Sequence, residues 1–278
     1  MTLYEKIKTS SYIIGAHEAW SEYREGLTGF LVSLLTEYPQ VLIVGAGECN
    51  DIDLGMLIDN GHGITLLDYD TEAMEKALFQ YHLSDDNRVK TITGSVTGTE
   101  QKAEQEFVDR MEEELRQIKA AGLQPREFDD FVCELLTQTF KEKKDSLSEL
   151  KKEYDAVIAI GLFSQLQAGY AYPIEMIYAS LGMDFEGSSA LNVLKKQNQN
   201  CIPKINDLLL QKAKGILIAG NEWKRCENGQ AVEGAYQAIC DLKNRAGEYS
   251  KYQEYSVLWP FDEQRQKSYE LLLQTIER

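Results

Sequence analysis

The sequence predicts an α/β fold in which a doubly wound, mostly parallel sheet carries helices on both faces. Two observations lead to this prediction. Short, continuous apolar runs alternate along the chain with segments of helical periodicity, a pattern typical of parallel strands joined by crossover helices. The chain then ends in two β-rich runs, residues 255–259 and 269–276, whose polar connection has no room for a helix. We therefore expect an antiparallel pair at the last edge of the sheet.

Five apolar runs are the predicted parallel strands. They cover residues 41–44, 64–67, 89–93, 156–160 and 215–219. Four of them are short and largely apolar, as expected for strands buried on both faces, whereas residues 89–93 (VKTIT) also contain a lysine and two threonines. Asn50 or Asp51 is the expected N-cap of the helix after the first strand, and Asp70 that of the helix after the second.

Two segments lie outside this alternation. Residues 1–40 form an N-terminal helical segment, with apolar residues at helical spacing over 18–38 and Pro39 as its stop, and we expect it to cap the site. The rest, residues 41–278, is one domain with a helical insertion at 99–153, which is too long for a single crossover helix. Within the insertion, Gly122 and Pro125 separate two apolar stripes and predict a helical hairpin. The hairpin serves as extra packing, as a lid or as a homodimer contact.

Composition excludes several classes of protein. The chain has 278 residues and a formal net charge of −16, so a phosphate backbone would be repelled and no nucleic-acid partner is expected. Its five cysteines include no C-x-x-C pair and its histidines number three, so no metal site is predicted. No segment approaches the roughly 18 apolar residues of a membrane span. A reduced, cytoplasmic location follows as the expectation.

The chemically informative motif is the glycine turn after the first strand. Gly45 allows a tight turn, and Gly47 lets the backbone approach a ligand closely. The following helix should direct its free amides and positive dipole end at that ligand. Asp68 ends the second strand 21 residues beyond Gly47, a spacing that suits a carboxylate accepting both hydroxyls of an adenosine ribose.

Two kinds of adenosine cofactor fit this unit. A dinucleotide favours G-x-G-x-x-G, but the sixth position here is Asn50, whose side chain hinders close packing of helix on strand. The antiparallel end of the chain also disfavours a nicotinamide-dependent oxidoreductase. The residues therefore favour a cofactor without a pyrophosphate.

With these motifs in order, the chain resembles the class I S-adenosylmethionine (SAM)-dependent methyltransferases. VLIVGAGECNDI corresponds to the family's glycine motif, ITLLDYD to its acidic ribose strand and TITGSV to its adenine segment. YDAVIAIGLFSQL and GILIAGNEW correspond to its fourth and fifth strands. The resemblance covers roughly residues 41–278 without the insertion, and it implies seven strands, an antiparallel last strand and SAM as the cofactor.

The resemblance also implies roles for individual residues. Asp68 would bind the ribose hydroxyls and Tyr69 would pack on the adenine, while Cys49 and Ser95 depart from the family's usual glycine and aspartate. The other implied contacts are Gly45, Ala46 and Gly47 along the methionine and ribose, Ser95 and Val96 at the adenine edge, and Ile160, Gly161 and Leu162 under the sulfonium.

The acceptor side is less defined by the sequence. Methyl transfer needs a general base only when the acceptor arrives protonated. Candidate groups lie on the first helix and in the loops after the fourth and fifth strands. They are Tyr12, His17, Trp20 and Tyr23 on the helix, Phe163, Ser164, Gln165, Tyr170 and Tyr172 in the first loop, and Asn221, Glu222 and Trp223 in the second. We select His17, Tyr23 and Glu222 as the catalytic candidates.

The sequence thus predicts a SAM-dependent methyltransferase that N- or O-methylates a small molecule or short peptide. One alternative keeps the cofactor but transfers its aminopropyl or aminocarboxypropyl group. Another is a non-catalytic scaffold protein with the same fold, which the departures at Cys49 and Ser95 keep open.

Overall fold

The computed structural model describes residues 2–11, 13–121, 125–140, 145–262 and 264–278. Its strands are β1 (Gln40–Val44), β2 (Gly63–Asp68), β3 (Val89–Thr93), β4 (Tyr154–Ile160), β5 (Ala213–Arg225), β6 (Lys251–Asp262) and β7 (Lys267–Glu277). Its α-helices are α1 (Leu3–Ser11), α2 (Ala16–Ala19), α3 (Ser21–Leu34), α4 (Leu54–Asp59), α5 (Thr71–Gln80), α6 (Gln101–Ala121), α7 (Pro125–Thr139), α8 (Ser146–Glu149), α9 (Ala168–Ser180), α10 (Ser189–Lys212) and α11 (Glu233–Arg245).

The seven strands form one sheet in the order β3-β2-β1-β4-β5-β7-β6. Strands β1 to β5 are parallel, whereas β7 runs antiparallel to both of its neighbours, β5 and β6. The predicted doubly wound sheet, with seven strands and an antiparallel last strand, is confirmed. Strand β5 is longer than the predicted run of residues 215–219, because β7 pairs with it from Ile216 to Arg225.

Alternate residues of the central strand β1 enter different hydrophobic cores. Val41 and Ile43 pack in the core that also contains residues of α3, α4 and α5. Leu42 and Val44 point the other way, into the core formed with α10 and α11. Because both faces of the strand are covered, its sequence is apolar without alternation. The sheet is thus covered by helices on both faces. The carboxyl ends of its parallel strands lie at one common edge.

Two predicted helix starts differ from the structure. Helix α4 is capped by Asp53, whose Oδ1 accepts from Met56 N at 2.9 Å, so the prediction of Asn50 or Asp51 as N-cap is wrong. Gly45, Gly47 and Cys49 have positive φ angles, which do not occur in a right-handed helix. The residues between β1 and α4 therefore form a loop, and α4 begins later than predicted. The predicted cap at Asp70 is confirmed, because its Oδ1 accepts from Ala73 N at 3.1 Å.

The N-terminal segment is divided more finely than predicted. Residues 18–38 were expected to form one helix, but Trp20 separates α2 from α3 with non-helical dihedral angles. Helix α3 ends at Leu34, four residues before the predicted end at Tyr38, so Pro39 is not the residue that stops it. Helix α1, which periodicity did not predict, precedes both.

Helices α6 and α7 lie between β3 and β4, where the hairpin was predicted. Phe107, Met111 and Ile118 of α6 are buried with Phe128 of α7 in a third core, to which α9 and α10 contribute. Gly122, part of the predicted break, lies outside the described residues. Across the described ranges, no helix combines the length and apolar character needed to cross a membrane.

Candidate active site

A cavity of about 410 Å³ lies at the carboxyl ends of β1, β2, β3 and β4. The ten residues selected from the sequence as cofactor contacts all line it. They are Gly45, Ala46, Gly47, Asp68, Tyr69, Ser95, Val96, Ile160, Gly161 and Leu162. Four separate segments of the chain thus converge on one space, as expected where parallel strands end at a common edge.

The glycine loop, residues 45–51, is shaped by left-handed backbone conformations. Gly45 has φ 71° and its N–H donates to Leu67 O at 2.9 Å, which ties the loop to the end of β2. Gly47 has φ 50°, and a side-chain carbon added there would meet no atom within 4 Å. The loop therefore presents bare backbone at Gly47. Cys49 also has a positive φ, 49°, but its side chain is buried beneath the loop.

The predicted helix-end contribution to the site is corrected by this geometry. Residues 45–51 line the cavity, whereas α4 begins only at Leu54, and its first-turn amide at Met56 is already satisfied by Asp53. The loop backbone, and not the start of the helix, faces the cavity.

Asp68 is held by the backbone on both oxygens. Gly47 N donates to Oδ2 at 2.9 Å, and Asp70 N donates to Oδ1 at 2.8 Å. Burial raises the pKa of the Asp68 carboxyl, while these two hydrogen bonds act to lower it. Each carboxylate oxygen retains acceptor capacity after one such bond. The side chain is therefore fixed in direction and still able to accept from a ligand.

Beside β2 and β3, the cavity is lined by the phenol ring of Tyr69 and by polar side chains. Tyr69 is 38% exposed and lies close enough to Glu104 and Tyr4 for both to raise its pKa, although burial is the larger cause. Tyr4 OH donates to Glu104 Oε2 at 3.4 Å, which links α1 to α6 beside the cavity. Ser95 Oγ accepts from Thr97 N at 3.3 Å, so its hydroxyl is engaged within its own turn.

An aromatic wall, formed by Trp20, Trp259 and Phe261, lines the other side. The ring centroids of Trp259 lie 5.1 Å from those of both Trp20 and Phe261, each at a steep angle. Trp20 Nε1 donates to Phe261 O at 3.1 Å, which fixes the indole. A carbon placed on Gly161 would lie 3.8 Å from Trp259 Cη2, so the wall adjoins the turn after β4.

The charged groups around the cavity are mostly acidic. Among the described residues that line it, one is a lysine, and that lysine is already ion-paired, with Lys8 Nζ 2.9 Å from Asp70 Oδ2. The acidic lining residues are Glu48, Asp51, Asp68, Asp70 and Glu104. The cavity is therefore suited to a ligand that carries positive charge.

Asp51, an acid of the glycine loop, interacts electrostatically with two residues behind the aromatic wall. Its charge helps to raise the pKa values of Tyr23, whose ring stacks on Trp259 with centroids 6.0 Å apart, and of Glu222 on β5. Burial raises the pKa of Asp51 itself to about 6, and Arg24 together with backbone N–H groups opposes that rise. Asp51 is thus an anion at neutral pH and a stronger base than an exposed aspartate.

The three catalytic candidates from the sequence do not line the cavity. His17 lies against α5, where its ring contacts Gln80 and sits edge-on to Tyr81 at 5.5 Å. Burial, with a further contribution from Arg24, lowers the His17 pKa. Tyr23 lies behind Trp259, with its hydroxyl buried. Tyr12, a further candidate, lies outside the described residues.

Glu222 is also buried, close behind the cavity. Its Oε1 accepts from Ser164 Oγ, and its Oε2 has no hydrogen-bond partner in the described part of the chain. Burial raises the pKa of Glu222 to about 7, against the effect of the Ser164 bond. This carboxyl could reach a ligand only if the aromatic side rearranged.

Sequence reasoning missed several of the residues that line the cavity. Tyr4 and Lys8 come from α1, and Trp259 and Phe261 come from the far end of the chain. The sequence predicts Phe261 in the polar connection between the last two strands, but it belongs to β6. The aromatic content of the sequence WPF at 259–261 was the one signal for this wall.

Comparison with known proteins yields structural similarity alone. No protein-family model and no curated protein sequence matches the chain. The chain is similar to TehB from Haemophilus influenzae (10% identity, 95% of this chain and 67% of that chain, TM-score 0.49). It is similar to the methyltransferase domain of bacterial CtHen1 (12%, 91% and 97%, TM-score 0.47). It is also similar to magnesium protoporphyrin IX methyltransferase from Synechocystis with bound SAM (11%, 99% and 89%, TM-score 0.44). Similarity this low leaves the function to the chemistry of the cavity.

Proposed function

We propose that the chain is a SAM-dependent methyltransferase acting on a small molecule or a short peptide. The observation that carries the proposal is the position of Asp68, a carboxylate held by two backbone amides at the end of β2 and facing a cavity beside bare glycine backbone. Adjacent hydroxyls of a ribose suit such a carboxylate, because each can donate to one of its oxygens.

The residues present fit the three parts of this cofactor. The space above Gly47 admits a ligand against the backbone, with Asp68 for the ribose. Tyr69, Ser95 and Val96 line the side where the adenine would lie, and the phenol ring offers a stacking face. The acidic lining suits a ligand that carries both an ammonium and a sulfonium.

When bound, SAM supplies a methyl group on a positively charged sulfur, which is a ready leaving group. The residues of this chain would then orient the cofactor, hold the acceptor in line and exclude water. Ile160, Gly161 and Leu162 end β4 between the glycine loop and the aromatic wall, so we place the methyl group above them.

In this proposal the N-terminal segment, residues 1–40, acts as a cap. Its residues Tyr4, Lys8 and Trp20 all line the cavity. The ion pair from Lys8 to Asp70 and the hydrogen bond from Tyr4 to Glu104 join α1 to the sheet and to α6. A closed cap would keep water from the reacting atoms.

The helices α6 and α7 we propose as part of the wall rather than a dimer contact. Glu104 of α6 lines the cavity. Asp129 of α7 accepts from Tyr178 OH at 2.7 Å and from Ala190 N at 3.3 Å, so α7 packs on α9 and α10. Sedimentation of the full chain tests the homodimer prediction directly, since a monomer at micromolar concentration would contradict it.

Calorimetric titration with SAM, with its demethylated product S-adenosylhomocysteine (SAH) and with NAD tests the function. We expect both sulfur nucleosides to bind and NAD not to. Asp68→Ala should weaken SAM binding by about 1–3 kcal/mol, because the ribose hydroxyls lose their acceptor. Asp85→Ala removes the same group at an exposed position outside the cavity and should leave the affinity unchanged.

Three results would contradict the proposal. The absence of binding by either sulfur nucleoside would exclude the cofactor. Binding without turnover on amine and phenol acceptors would indicate a scaffold. A nucleoside product lacking its amino-acid side chain, seen by mass spectrometry, would indicate transfer of another group.

A further inference from the structure

Some of the residues that line the cavity would not contact the proposed cofactor. Residues of the glycine loop, β2 and β3 surround the proposed cofactor position, whereas Trp20, Trp259 and Phe261 face it from the other side of the turn after β4. These aromatic residues come from α2–α3 and from β6, two elements that supply none of the proposed cofactor contacts. The aromatic side is therefore the place where a second ligand would meet the methyl group.

The aromatic wall is rigid and offers ring surface to that ligand. Trp20 is fixed by its hydrogen bond to Phe261 O, and Trp259 is clamped by edge contacts with Trp20 and Phe261 and by the stacked ring of Tyr23. The two indoles are more than nine-tenths buried, yet both line the cavity. Indole faces attract cations through their quadrupole, and more strongly where water is excluded.

The charged residue that lines this side is acidic, and Arg24, a buried cation close to it, does not line the cavity. Asp51 lines the cavity, and its negative charge contributes to the raised pKa values of Tyr23 behind the wall and of Glu222 on β5. The groups around Asp51 are Arg24 and Tyr23 on α3, Tyr81 just after α5, Glu222 on β5 and the neighbouring Cys49. Arg24 is directed elsewhere, since its Nη1 donates to His17 O at 2.6 Å and to Asn50 O at 3.2 Å. The one lysine in the described wall is paired with Asp70.

Resting on the proposed function, we infer that the methyl acceptor is an amine that enters as its ammonium, held between the aromatic wall and Asp51, with Asp51 as the base. The alternatives of the same size, a phenol or a carboxylic acid, would bring an oxygen nucleophile to an acidic wall that holds no free cation among the lining residues described. An anionic acceptor would be repelled there.

The transfer balances with the groups present. The ammonium gives one proton to the Asp51 carboxylate, which frees the nitrogen lone pair. That pair forms the bond from nitrogen to the methyl carbon while the bond from the methyl carbon to sulfur breaks, and its electrons stay on sulfur. The products are a methylated ammonium and SAH, and Asp51 returns its proton to solvent. Because the pKa of Asp51 is about 6, this base is available at neutral pH and is lost as the pH falls through 6.

The recognition step is tested by binding, without turnover. Choline and 3,3-dimethylbutan-1-ol have nearly the same shape but differ in charge, and each is titrated into the protein saturated with SAH. We expect choline to bind at least about tenfold more tightly than the alcohol. Trp20→Phe should keep most of that preference and Trp20→Leu should lose it, because the leucine has no ring face. Asp51→Asn should weaken choline binding about tenfold, whereas Asp85→Asn should leave it unchanged.

The chemical step is tested with a panel of primary amines, phenols and carboxylic acids. We expect the amines to be the only members of the panel that are methylated. The rate of the wild type should fall as the pH drops below about 6, and Asp51→Asn should lack this fall. Equal binding of choline and the alcohol, or methylation of the phenols only, would overturn the inference. The cofactor proposal would survive either result, since it fails only if SAH itself does not bind.

Discussion

The β1–β2 end of the cavity buries one carboxylate and the β4–β5 region behind the cavity buries another, but the two ends satisfy the carboxylate differently. At the first end, Asp68 receives hydrogen bonds from the backbone of Gly47 and Asp70. At the second, Glu222 receives one from the Ser164 hydroxyl, while its Oε2 has no partner in the described part of the chain. The first carboxylate has a backbone hydrogen bond on each oxygen, and the second is a buried group that folding has left incompletely satisfied.

The difference lies in what builds each end. Backbone amides of a tight loop hold Asp68, so its geometry follows from local sequence. The surroundings of Glu222 are side chains from α3, β5 and the turn after β4, including Tyr23, whose buried hydroxyl also lacks a partner in the described residues. A buried polar group without a partner costs free energy, so this end should limit stability while the other sets binding.

Glu222→Gln should give the largest effect on stability. The carboxyl ionises near pH 4.5 in the unfolded chain and near pH 7 in the folded one, so between these values the folded state holds the extra proton. The free energy of unfolding then falls as the pH rises through this window, by on the order of 3 kcal/mol. The glutamine variant should lose that fall, and urea unfolding at pH 5 and pH 8 measures it.

Glu248→Gln, the same change at an exposed position, should keep the wild-type dependence on pH. If Glu222→Gln and wild type lost the same stability between pH 5 and pH 8, the buried carboxyl would be ionised in both states, and the contrast between the two ends would fail.

Gly45→Ala should give the next largest effect, on the glycine-loop end. Gly45 has φ 71°, and the new carbon would lie 2.8 Å from Leu162 Cδ1, so the variant combines left-handed strain with a close contact. We expect a loss of about 1–3 kcal/mol in the free energy of unfolding and weaker SAM binding. Denaturant unfolding and calorimetry measure the two quantities.

Gly26→Ala is the matched control for this change. Gly26 lies in helix α3 with open space around its α-carbon, so alanine should stabilise the protein by about 0.5–1 kcal/mol. If Gly45→Ala and Gly26→Ala changed the free energy of unfolding in the same direction, the loop at Gly45 would not be held in its left-handed conformation.

Lys8→Met should have the smallest effect, about 0.2–1 kcal/mol, because the ion pair to Asp70 is partly exposed. The substitution is informative because it removes a contact of the cap and does not alter Asp68 or Glu222. Hydrogen exchange of the α1 amides should accelerate, whereas Lys102→Met, which breaks an exposed pair with Glu106, should leave them unchanged. Unaltered α1 exchange in Lys8→Met would contradict the attachment of the cap through this pair.

The glycine-loop end was predictable because local chemistry specifies it. Apolar runs located β1 to β4, and the carboxyl ends of parallel strands share an edge, so Gly47, Asp68, Ser95 and Gly161 had to converge. The N-cap of α4 was misplaced because three positive φ angles lengthen the loop, and Cys49 gave no glycine signal for the third. Periodicity does not report such angles.

The aromatic end was not predictable, because it depends on contacts across nearly the whole chain. Trp20 and Trp259 meet only after the sheet has brought β6 beside α3, and nothing near either residue indicates the other. His17 and Tyr23 have side chains that can act as bases, yet α2 places His17 against Tyr81 and α3 places Tyr23 behind Trp259. Which face of a helix lines a cavity is a tertiary property.

The position of the ribose in a crystal of the protein with SAH tests the central claim most directly. We expect both ribose hydroxyls within hydrogen-bond distance of the Asp68 carboxylate, with that side chain still held by Gly47 and Asp70. SAH bound with its ribose away from Asp68, or excluded from the cavity at saturating concentration, would contradict it.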